Sequence, residues 1–384
     1  MLGPEDVDSD GYLNRLTDGD ESRFQEVYQG QHNELDLDAA KTAVRATLRN
    51  QYEPHHHILG AIADGFHPYN EEGMKTGYEV ALSNPLYEVE ATAADLLLTA
   101  QDYREVHLCF VVCEAGGEDY VRWARNINEI SDLYRGHEEE LLEQVPVEGL
   151  DTGHVQFVTA TTKEDLPDAD LTYLKNSVSP DNYAIWVVDD DYEGNGDRQV
   201  ELRNECGRLA HRQLRMVLED GFDYGKGEST ELGCTLNSHE FVMLRETFLQ
   251  LMLQQYSDGR EEPREFNQGD FEEALVSHTQ VGDPPEEKTK LVRSKAENLL
   301  DVADDAEMVY SGGSQDINTN RDYRLRFPNG MPTQVPEHIR PKYVEHRAPR
   351  KMAEDAYERA RKEFEPIDQL ETELGDRDSW GEGS

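Results

Sequence analysis

Two acidic residues of this sequence stand at the ends of apolar runs, where side chains can do chemistry. Asp95 interrupts the apolar end of a predicted strand over residues 87–98, and Glu114 follows directly after Val106–Cys113, the most apolar run of the chain. Both faces of the latter run are apolar, which is typical of a strand buried on both sides. Carboxylate oxygens are ligands that Mg²⁺ and Mn²⁺ prefer, and such an ion orients and activates water. The pair therefore predicts a divalent-metal site at one end of a sheet.

Other polar clusters have plainer interpretations. His55–His57, together with His67, offers ligands for Zn²⁺ or Ni²⁺, but three consecutive side chains cannot all face one ion on a regular backbone, so a surface loop is predicted. Asp189–Asp191 follow a predicted strand over 183–188, where α/β folds hold ligands such as metal ions, but the prediction for these residues is a solvated acidic turn. The four cysteines include no Cys-x-x-Cys pair, which favours buried thiols over metal ligands.

The charge of the chain is strongly negative and spread along its length. The 384 residues carry 81 acidic and 37 basic side chains, a formal net charge of −44. This pattern, with apolar runs of buried type, is typical of a cytoplasmic protein from an organism that keeps molar salt in its cells, where the Debye length falls to about 3 Å at 1 M. Such acidity is a solubility adaptation and identifies no partner. No signal peptide and no membrane span are predicted.

Periodicity predicts an α/β fold with a central mixed sheet sandwiched by helices. The predicted helices cover residues 34–52, 118–134, 168–178 and 200–220, and the predicted strands cover 78–82, 87–98, 106–113, 154–160 and 183–188. The predicted domains are an acidic tail (1–30), this α/β core (31–225), a mainly helical C-terminal domain (226–365) and an acidic disordered tail (366–384).

The order of these elements and the positions of the two acids resemble the restriction-endonuclease-like, PD-(D/E)xK, nuclease superfamily over about residues 31–220. Members have a core of helix, three strands, helix and strand, with an Asp on the second strand and an acid-x-Lys motif on the third. The resemblance implies that Asp95 matches the motif aspartate and Glu114 the motif acid. It also implies a DNA-directed protein that cleaves phosphodiester bonds with Mg²⁺ or Mn²⁺, with Glu34 or Asp38 as an additional acid on the first helix.

The lysine of the acid-x-Lys motif is missing, because position 116 is Gly. In the superfamily that lysine helps to position and activate the attacking water. Arg122 or Arg125 on the following helix is the expected catalytic substitute, although a guanidinium stays protonated and handles protons poorly. The alternative is therefore a non-catalytic interaction or scaffold protein on a degenerate nuclease-like fold.

The C-terminal domain has the outline of a winged helix, which is a DNA-binding form of helix-turn-helix. Its three predicted helices cover residues 239–256, 271–278 and 286–300, and its two predicted strands cover 308–313 and 323–327. The strands would form a hairpin joined by a polar loop.

Residues 286–365 are nearly neutral within an acidic chain, since they hold 15 basic and 16 acidic side chains. A neutral segment in a salt-adapted protein predicts contact with DNA or with an acidic protein partner. The alternative is a helix over Ala348–Phe364 whose charges form ordinary ion pairs. The candidate nucleic-acid-binding residues are Arg321, Arg324, Arg326, Arg340, Lys342, Arg347, Arg350 and Lys351.

Overall fold

The chain divides into two compact units. One comprises Met1–Thr47 together with Ile339–Ser384, and the other comprises Leu48–His338. A computed structural model describes residues 2–9, 11–86, 94–116, 120–145, 150–166, 172–191, 199–224, 232–257, 265–279, 286–311, 322–326 and 334–378.

The chain contains both helices and strands. The α-helices are α1 (Asp18–Glu34), α2 (Leu37–Thr47), α3 (Glu53–Gly65), α4 (Glu71–Met74), α5 (Tyr120–Gly136), α6 (Glu138–Gln144), α7 (Thr172–Ser177), α8 (Arg212–Asp220), α9 (Glu240–Ser257), α10 (Gln268–Thr279), α11 (Glu286–Asp305) and α12 (Val335–Asp378). The strands are β1 (Tyr78–Ser83), β2 (Leu96–Asp102), β3 (Glu105–Cys113), β4 (Asp151–Thr162), β5 (Tyr183–Asp191), β6 (Gln199–Gly207), β7 (Phe222–Asp223), β8 (Glu265–Asn267), β9 (Val309–Ser311) and β10 (Asp322–Leu325). None of the described helices is long and apolar enough to cross a membrane.

The unit formed by the two ends of the chain has a core of its own. Phe24 of α1 packs edge-on against Tyr357 and Phe364 of α12, with ring centroids 5.4 and 5.7 Å apart. The Tyr357 hydroxyl also donates a hydrogen bond of 2.8 Å to Asp8. Residues 1–30, predicted as a tail, therefore contain a helix with a buried aromatic anchor. Helix α12 reaches Asp378, so its backbone is helical over much of the predicted C-terminal tail.

A seven-stranded mixed sheet organises the other unit, in the order β1-β2-β3-β4-β5-β6-β7. Strand β3 is parallel to β4 and β4 is parallel to β5, whereas every other neighbouring pair is antiparallel. This arrangement confirms the predicted mixed α/β sheet. Parallel pairs require crossover connections, and helix α5 lies in the connection from β3 to β4.

Helices cover both faces of this sheet. On one face, Ile58 and Ile62 of α3 and Leu214 of α8 join a core with alternate residues of the strands. On the other face, Trp123 and Ile127 of α5 contribute to a second core. Val106–Cys113 is buried on both sides because its alternate side chains enter these two cores.

The surface loop predicted at His55–His57 is wrong, because these residues lie in helix α3. A π-helical turn, Leu48–Tyr52, connects α2 to α3, so the backbone stays helical from Leu37 to Gly65. Pro54 occupies the first turn of α3, where a helix needs no donor from the proline nitrogen.

Three other predictions for the sheet need correction. The helix predicted over 200–220 is strand β6 followed by the shorter helix α8, because pairing with β5 outweighs the local helical pattern. Asp189–Asp191 form the end of β5 rather than a turn after it. Of the strand predicted over 87–98, residues 87–93 lie outside the described residues, and β2 begins at Leu96 and continues to Asp102.

The C-terminal part of this unit combines α9, α10 and α11 with a second antiparallel sheet in the order β8-β10-β9. Strands β9 and β10 are those predicted from the sequence, and β8 was not predicted. Phe266 of β8 stacks on Tyr323 of β10 with ring centroids 5.5 Å apart, and Phe271 of α10 contacts Phe248 of α9 at 5.4 Å. Aromatic packing therefore joins this sheet to the helices.

Candidate functional site

A cavity of about 360 Å³ lies at the end of β3 where Glu114 follows the strand. It receives side chains from the π-helical turn, helix α3, the start of β2, helix α5 and the segment before α9. Its lining residues are Gln51, Tyr52, His55, Asp95, Val112, Cys113, Glu114, Ala115, Gly116, Arg122, Asn126, Asn237 and His239. Asp95 and Glu114, the two acids singled out in the sequence, thus line one cavity.

The Asp95 carboxylate is buried and hydrogen-bonded through both oxygens. Oδ2 accepts a hydrogen bond of 2.8 Å from the backbone N–H of Cys113, on the neighbouring strand β3. Oδ1 accepts one of 3.3 Å from the Thr235 hydroxyl. The side chain is only 3% exposed, and His55 Nε2 lies 3.5 Å from Oδ1. Asp95 is therefore oriented by three different segments of the chain.

Glu114 is held by two side chains of α5. Arg122 donates to Oε2, and Asn126 donates to Oε1 at 2.7 Å. Burial raises the pKa of Glu114, with a smaller contribution from nearby Asp95, while Arg122 and Asn126 oppose the shift. Arg122 and Asn126 can both contact Glu114 because they are one turn apart and share a face of α5.

His55 is a basic group of this cavity, whereas the sequence analysis placed it in a surface loop. Burial by itself lowers the pKa of His55, but attraction to Asp95 and a hydrogen bond to it outweigh that effect, so the pKa is raised overall. The available signal was the apolar spacing that continues from Ile58 and Leu59 to Ile62, which places the preceding histidines on a helix.

The three consecutive histidines of α3 face three different partners. His56 Nε2 lies 3.5 Å from Glu246, and His57 Nε2 lies 3.2 Å from the Tyr224 hydroxyl. Burial, and then the charge of Arg245, lower the pKa of His56 to about 3, so this imidazole is neutral at pH 7. Glu246 instead pairs with Arg245 at 2.6 Å. The three imidazoles therefore lie against different groups rather than around one point.

Position 116, where the resemblance noted in the sequence would place a lysine, cannot take a side chain without movement of the neighbouring turn. Gly116 has φ +76°, a conformation that L-residues rarely adopt. A Cβ atom there would lie 2.6 Å from the carbonyl oxygen of Asn50 in the π-helical turn. The Gly116 N–H donates to Asp165 at 3.2 Å. Glycine is thus part of the packing at the cavity wall.

The two carboxylates fit a divalent cation poorly in this arrangement. Both oxygens of Glu114 accept hydrogen bonds, one of them from the cationic Arg122, and both oxygens of Asp95 are also engaged. Within the described part of the chain, no group of three or more His, Cys, Asp or Glu side chains is arranged to hold a metal ion. An incoming ion would have to displace Arg122.

Other predicted site residues are not among those that line the cavity. Arg125 is exposed and lies 3.9 Å from Glu129 on the same helix. Glu34 and Asp38 are exposed residues of the unit formed by the chain ends. Asp189 is buried at the side chain and pairs with Lys163 at 2.6 Å. Asp189 therefore has a structural partner, which contradicts the expected solvated turn.

The candidate nucleic-acid-binding residues are divided between the two units. Arg324 is exposed on β10, whereas Arg326 packs over the Tyr310 ring at 3.8 Å and lies 3.3 Å from Glu307. Arg321 lies outside the described residues. Arg340, Lys342, Arg347, Arg350 and Lys351 belong to α12 in the unit formed by the chain ends.

Three of the α12 residues make ion pairs within their helix. Arg347 and Arg350 both contact Glu354, at 2.9 and 3.5 Å, and Lys351 contacts Asp355 at 2.9 Å. Pairs of this kind are the alternative considered for this helix from the sequence.

No protein-family model, curated protein or solved structure matches this chain.

Proposed function

We propose that this chain is a DNA-binding protein built on a nuclease-like core that does not cleave DNA. The observation that carries the proposal is Gly116, whose left-handed backbone and close approach to Asn50 leave no room for the motif lysine. The order of α3, β1, β2, β3, α5 and β4 supports the resemblance to the PD-(D/E)xK core. So does the position of Asp95 before β2 and of Glu114 after β3.

The charge arrangement in the cavity also supports a non-cleaving protein. Arg122, the expected substitute for the lysine, is bound to Glu114 and stays protonated, so it cannot accept a proton from water. Glu114 in turn has an arginine where a nuclease would need a metal ion. The core then serves as a scaffold.

The C-terminal helices and strands support the DNA-binding half of the proposal. Their order is helix, strand, helix, helix, strand, strand, which resembles a winged helix, with α11 as the helix that would enter the major groove. Lys288 and Lys295 of α11 donate to carbonyl oxygens of Ser83 and Leu236. One face of α11 is thereby bound to the rest of the unit.

The opposite face of α11 carries the groups that would contact DNA. Lys290, Arg293, Ser294 and Asn298 are exposed and follow helical spacing. Arg293 lies 3.5 Å from Glu272 but is 62% exposed, so this pair is weak and can be exchanged for a phosphate. Molar salt weakens phosphate contacts sharply, so contacts with bases must add to the affinity.

We also infer that the protein is adapted to molar salt and works in the cytoplasm. The net charge of −44 supports this, since salt screens repulsion between acidic side chains. The free energy of unfolding should rise as KCl is raised from about 0.2 to 2 M. A free energy that is constant or falls would contradict the adaptation.

A metal-dependent nuclease is the second candidate, because Asp95 and Glu114 line the same cavity. Nicking of supercoiled DNA should be measured in about 2 M KCl, a salt level that screens charge, with Mg²⁺ or Mn²⁺ and with Asp95→Ala as the comparison. We expect no nicking by either protein. Metal-dependent nicking that the substitution abolishes would overturn the non-cleaving proposal.

DNA binding should be measured with an end-labelled duplex by fluorescence anisotropy. The double variant Lys290→Ala/Arg293→Ala should bind more weakly, and the slope of log affinity against log salt should fall by about 2, roughly one per phosphate contact. The control Lys75→Ala/Arg215→Ala removes the same charge from exposed residues of α8 and the turn after α4. Equal binding by both double variants would contradict the role of α11.

A further inference from the structure

We propose that the cavity around Asp95 and Glu114 holds a single nucleobase. The base would come from a free nucleotide or from a nucleotide extruded from a strand, and the second source rests on the DNA binding proposed above. The cavity volume of about 360 Å³ is near the small end of the range for ligand pockets, which suits one small heteroaromatic group.

The charges of the cavity favour a neutral ligand with hydrogen-bonding groups. Glu114 is paired with Arg122, and Asp95 faces His55, so each carboxylate already has a basic partner. A bare phosphate would meet two carboxylates, and a metal ion would meet a guanidinium. A nucleobase carries no formal charge and offers donors and acceptors along its edge, so it avoids both conflicts.

An aromatic pair forms one wall of the cavity. The rings of Tyr52 and His239 are stacked, with centroids 3.6 Å apart and planes 11° from parallel. His239 Nδ1 accepts a hydrogen bond of 3.2 Å from the Phe241 N–H, which fixes the orientation of the imidazole at the start of α9. Stacking on aromatic side chains is the usual way for proteins to hold an unpaired base.

Carboxamide groups supply the polar contacts that a base edge needs. The Asn237 side-chain oxygen is buried and has no hydrogen-bond partner among the described residues, while its nitrogen donates to the Ala94 carbonyl at 3.4 Å. Gln51 and Asn126 add two further amides to the lining. An unsatisfied buried acceptor indicates a missing donor, and the amino or imino group of a base provides one.

The backbone around the cavity is also unusual. Gln51 and Tyr52 belong to the π-helical turn, and such turns occur often at functional sites. The turn packs against Gly116, so the feature that excludes the motif lysine also positions the aromatic wall. Loss of catalysis and gain of a base pocket would then have one structural origin.

The test uses the fluorescence of 2-aminopurine, which is quenched when the base stacks. Three probes distinguish the sources: the free deoxynucleoside monophosphate, a single strand with one 2-aminopurine, and a duplex with one 2-aminopurine. Saturable quenching of the free nucleotide alone indicates a small-molecule ligand. Within a strand or duplex the neighbouring bases already quench the probe, so a saturable change of its fluorescence that Tyr52→Ala weakens indicates an extruded base. Either outcome supports the pocket.

The variants change the aromatic wall of the cavity at Tyr52 and one of its carboxamide groups at Asn237. Tyr52→Ala should weaken binding of the quenched probe about tenfold, because stacking on an aromatic side chain is lost. Tyr52→Phe keeps the ring and should bind like the wild type, and Asn237→Ala should weaken binding less. The control is Tyr103→Ala, which removes a fully exposed tyrosine at the turn between β2 and β3.

An equal fluorescence change with the wild type and with folded Tyr52→Ala and Asn237→Ala would overturn the proposal, and so would the absence of a saturable fluorescence change with all three probes. Circular dichroism checks folding, and Asn237→Ala keeps the test decisive if Tyr52→Ala does not fold. DNA binding measured with the end label is independent of the pocket. Normal DNA binding without a fluorescence change of any 2-aminopurine probe would overturn this inference alone, whereas quenching of the free nucleotide without DNA binding would overturn only the proposed function.

Discussion

Two neighbouring histidines on α3 experience opposite environments, although their side chains are similarly exposed, at 20% and 24%. His55 enters the cavity and faces Asp95, and its pKa is raised above the ordinary value. His56 enters a cluster formed by Arg245, Glu246 and Glu53, and its pKa is lowered to about 3. Burial lowers the pKa in both places. The difference arises because a carboxylate faces His55 while a guanidinium already neutralises the carboxylates near His56.

The comparison shows that a carboxylate raises the pKa of a neighbouring histidine only to the extent that no cation already neutralises the carboxylate. In the cluster, Arg245 lies 2.6 Å from Glu246 and 3.6 Å from Glu53, which leaves His56 without a counter-charge. In the cavity, Asp95 is bound by neutral donors, the Cys113 N–H and the Thr235 hydroxyl, so its charge acts on His55. The first three predictions below each remove one element of this contrast, and the fourth concerns another buried carboxylate, Asp189.

The largest effect is expected from Arg245→Met. The substitution leaves Glu53 and Glu246 without their cation in a largely buried position, which should lower the free energy of unfolding by about 3–5 kcal/mol. Denaturant unfolding at pH 7 and constant KCl measures the change. The control Arg215→Met breaks an exposed pair with Glu219 and should cost no more than about 1 kcal/mol. Similar losses in the two variants would contradict a buried ion cluster.

The second prediction concerns the stability of the protein at acidic pH. Because the folded pKa of His56 lies below its unfolded value of about 6.5, its contribution to stability is present above that pH and is lost as the pH falls toward 3. The loss for one proton is about 1.4 kcal/mol per pH unit. The wild type should therefore lose stability faster than His56→Gln between about pH 6 and 4. Parallel stability curves for the two proteins would refute the assignment.

The third prediction concerns His55 in the cavity, where the dependence of stability on pH has the opposite sign. The folded pKa of His55 is raised, so its contribution is fully present below the unfolded pKa of about 6.5 and is lost as the pH rises through the folded pKa. Asp95→Asn keeps one carbonyl oxygen for the Cys113 N–H but removes the charge. The substitution should lower the free energy of unfolding by about 1.5–3 kcal/mol near pH 6, which is the typical contribution of a hydrogen bond to a charged group. NMR titration should show the pKa of His55 falling, and an unchanged titration would exclude Asp95 as its cause.

The smallest effect is expected from Asp189→Asn. This carboxylate is also buried in the sheet, but its partners Lys163 and Arg203 are 47% and 33% exposed at their side chains. The free energy of unfolding should change by less than about 1 kcal/mol, and the titration of His55 should not change. A loss as large as that of Asp95→Asn would show that exposure of the partners is not what separates the two sites.

Several elements of the fold could be read from the sequence because their burial pattern is local. Val106–Cys113 is apolar on both faces and forms β3, and the apolar spacing of Ile127, Ile130 and Tyr134 forms one buried face of α5. The two acids next to β2 and β3 were also recognisable, since a polar residue at the end of an apolar run stands out.

Tertiary structure decided the rest. Residues 199–207 have no strong strand pattern of their own and become β6 because β5 offers a partner. The environment of Asp95 depends on Thr235, which is 140 residues away in sequence. Whether a carboxylate is paired, and by which cation, depends on contacts between distant segments. No local pattern contains that information. The sequence therefore shows where the acidic residues are, but only the fold determines which groups they contact.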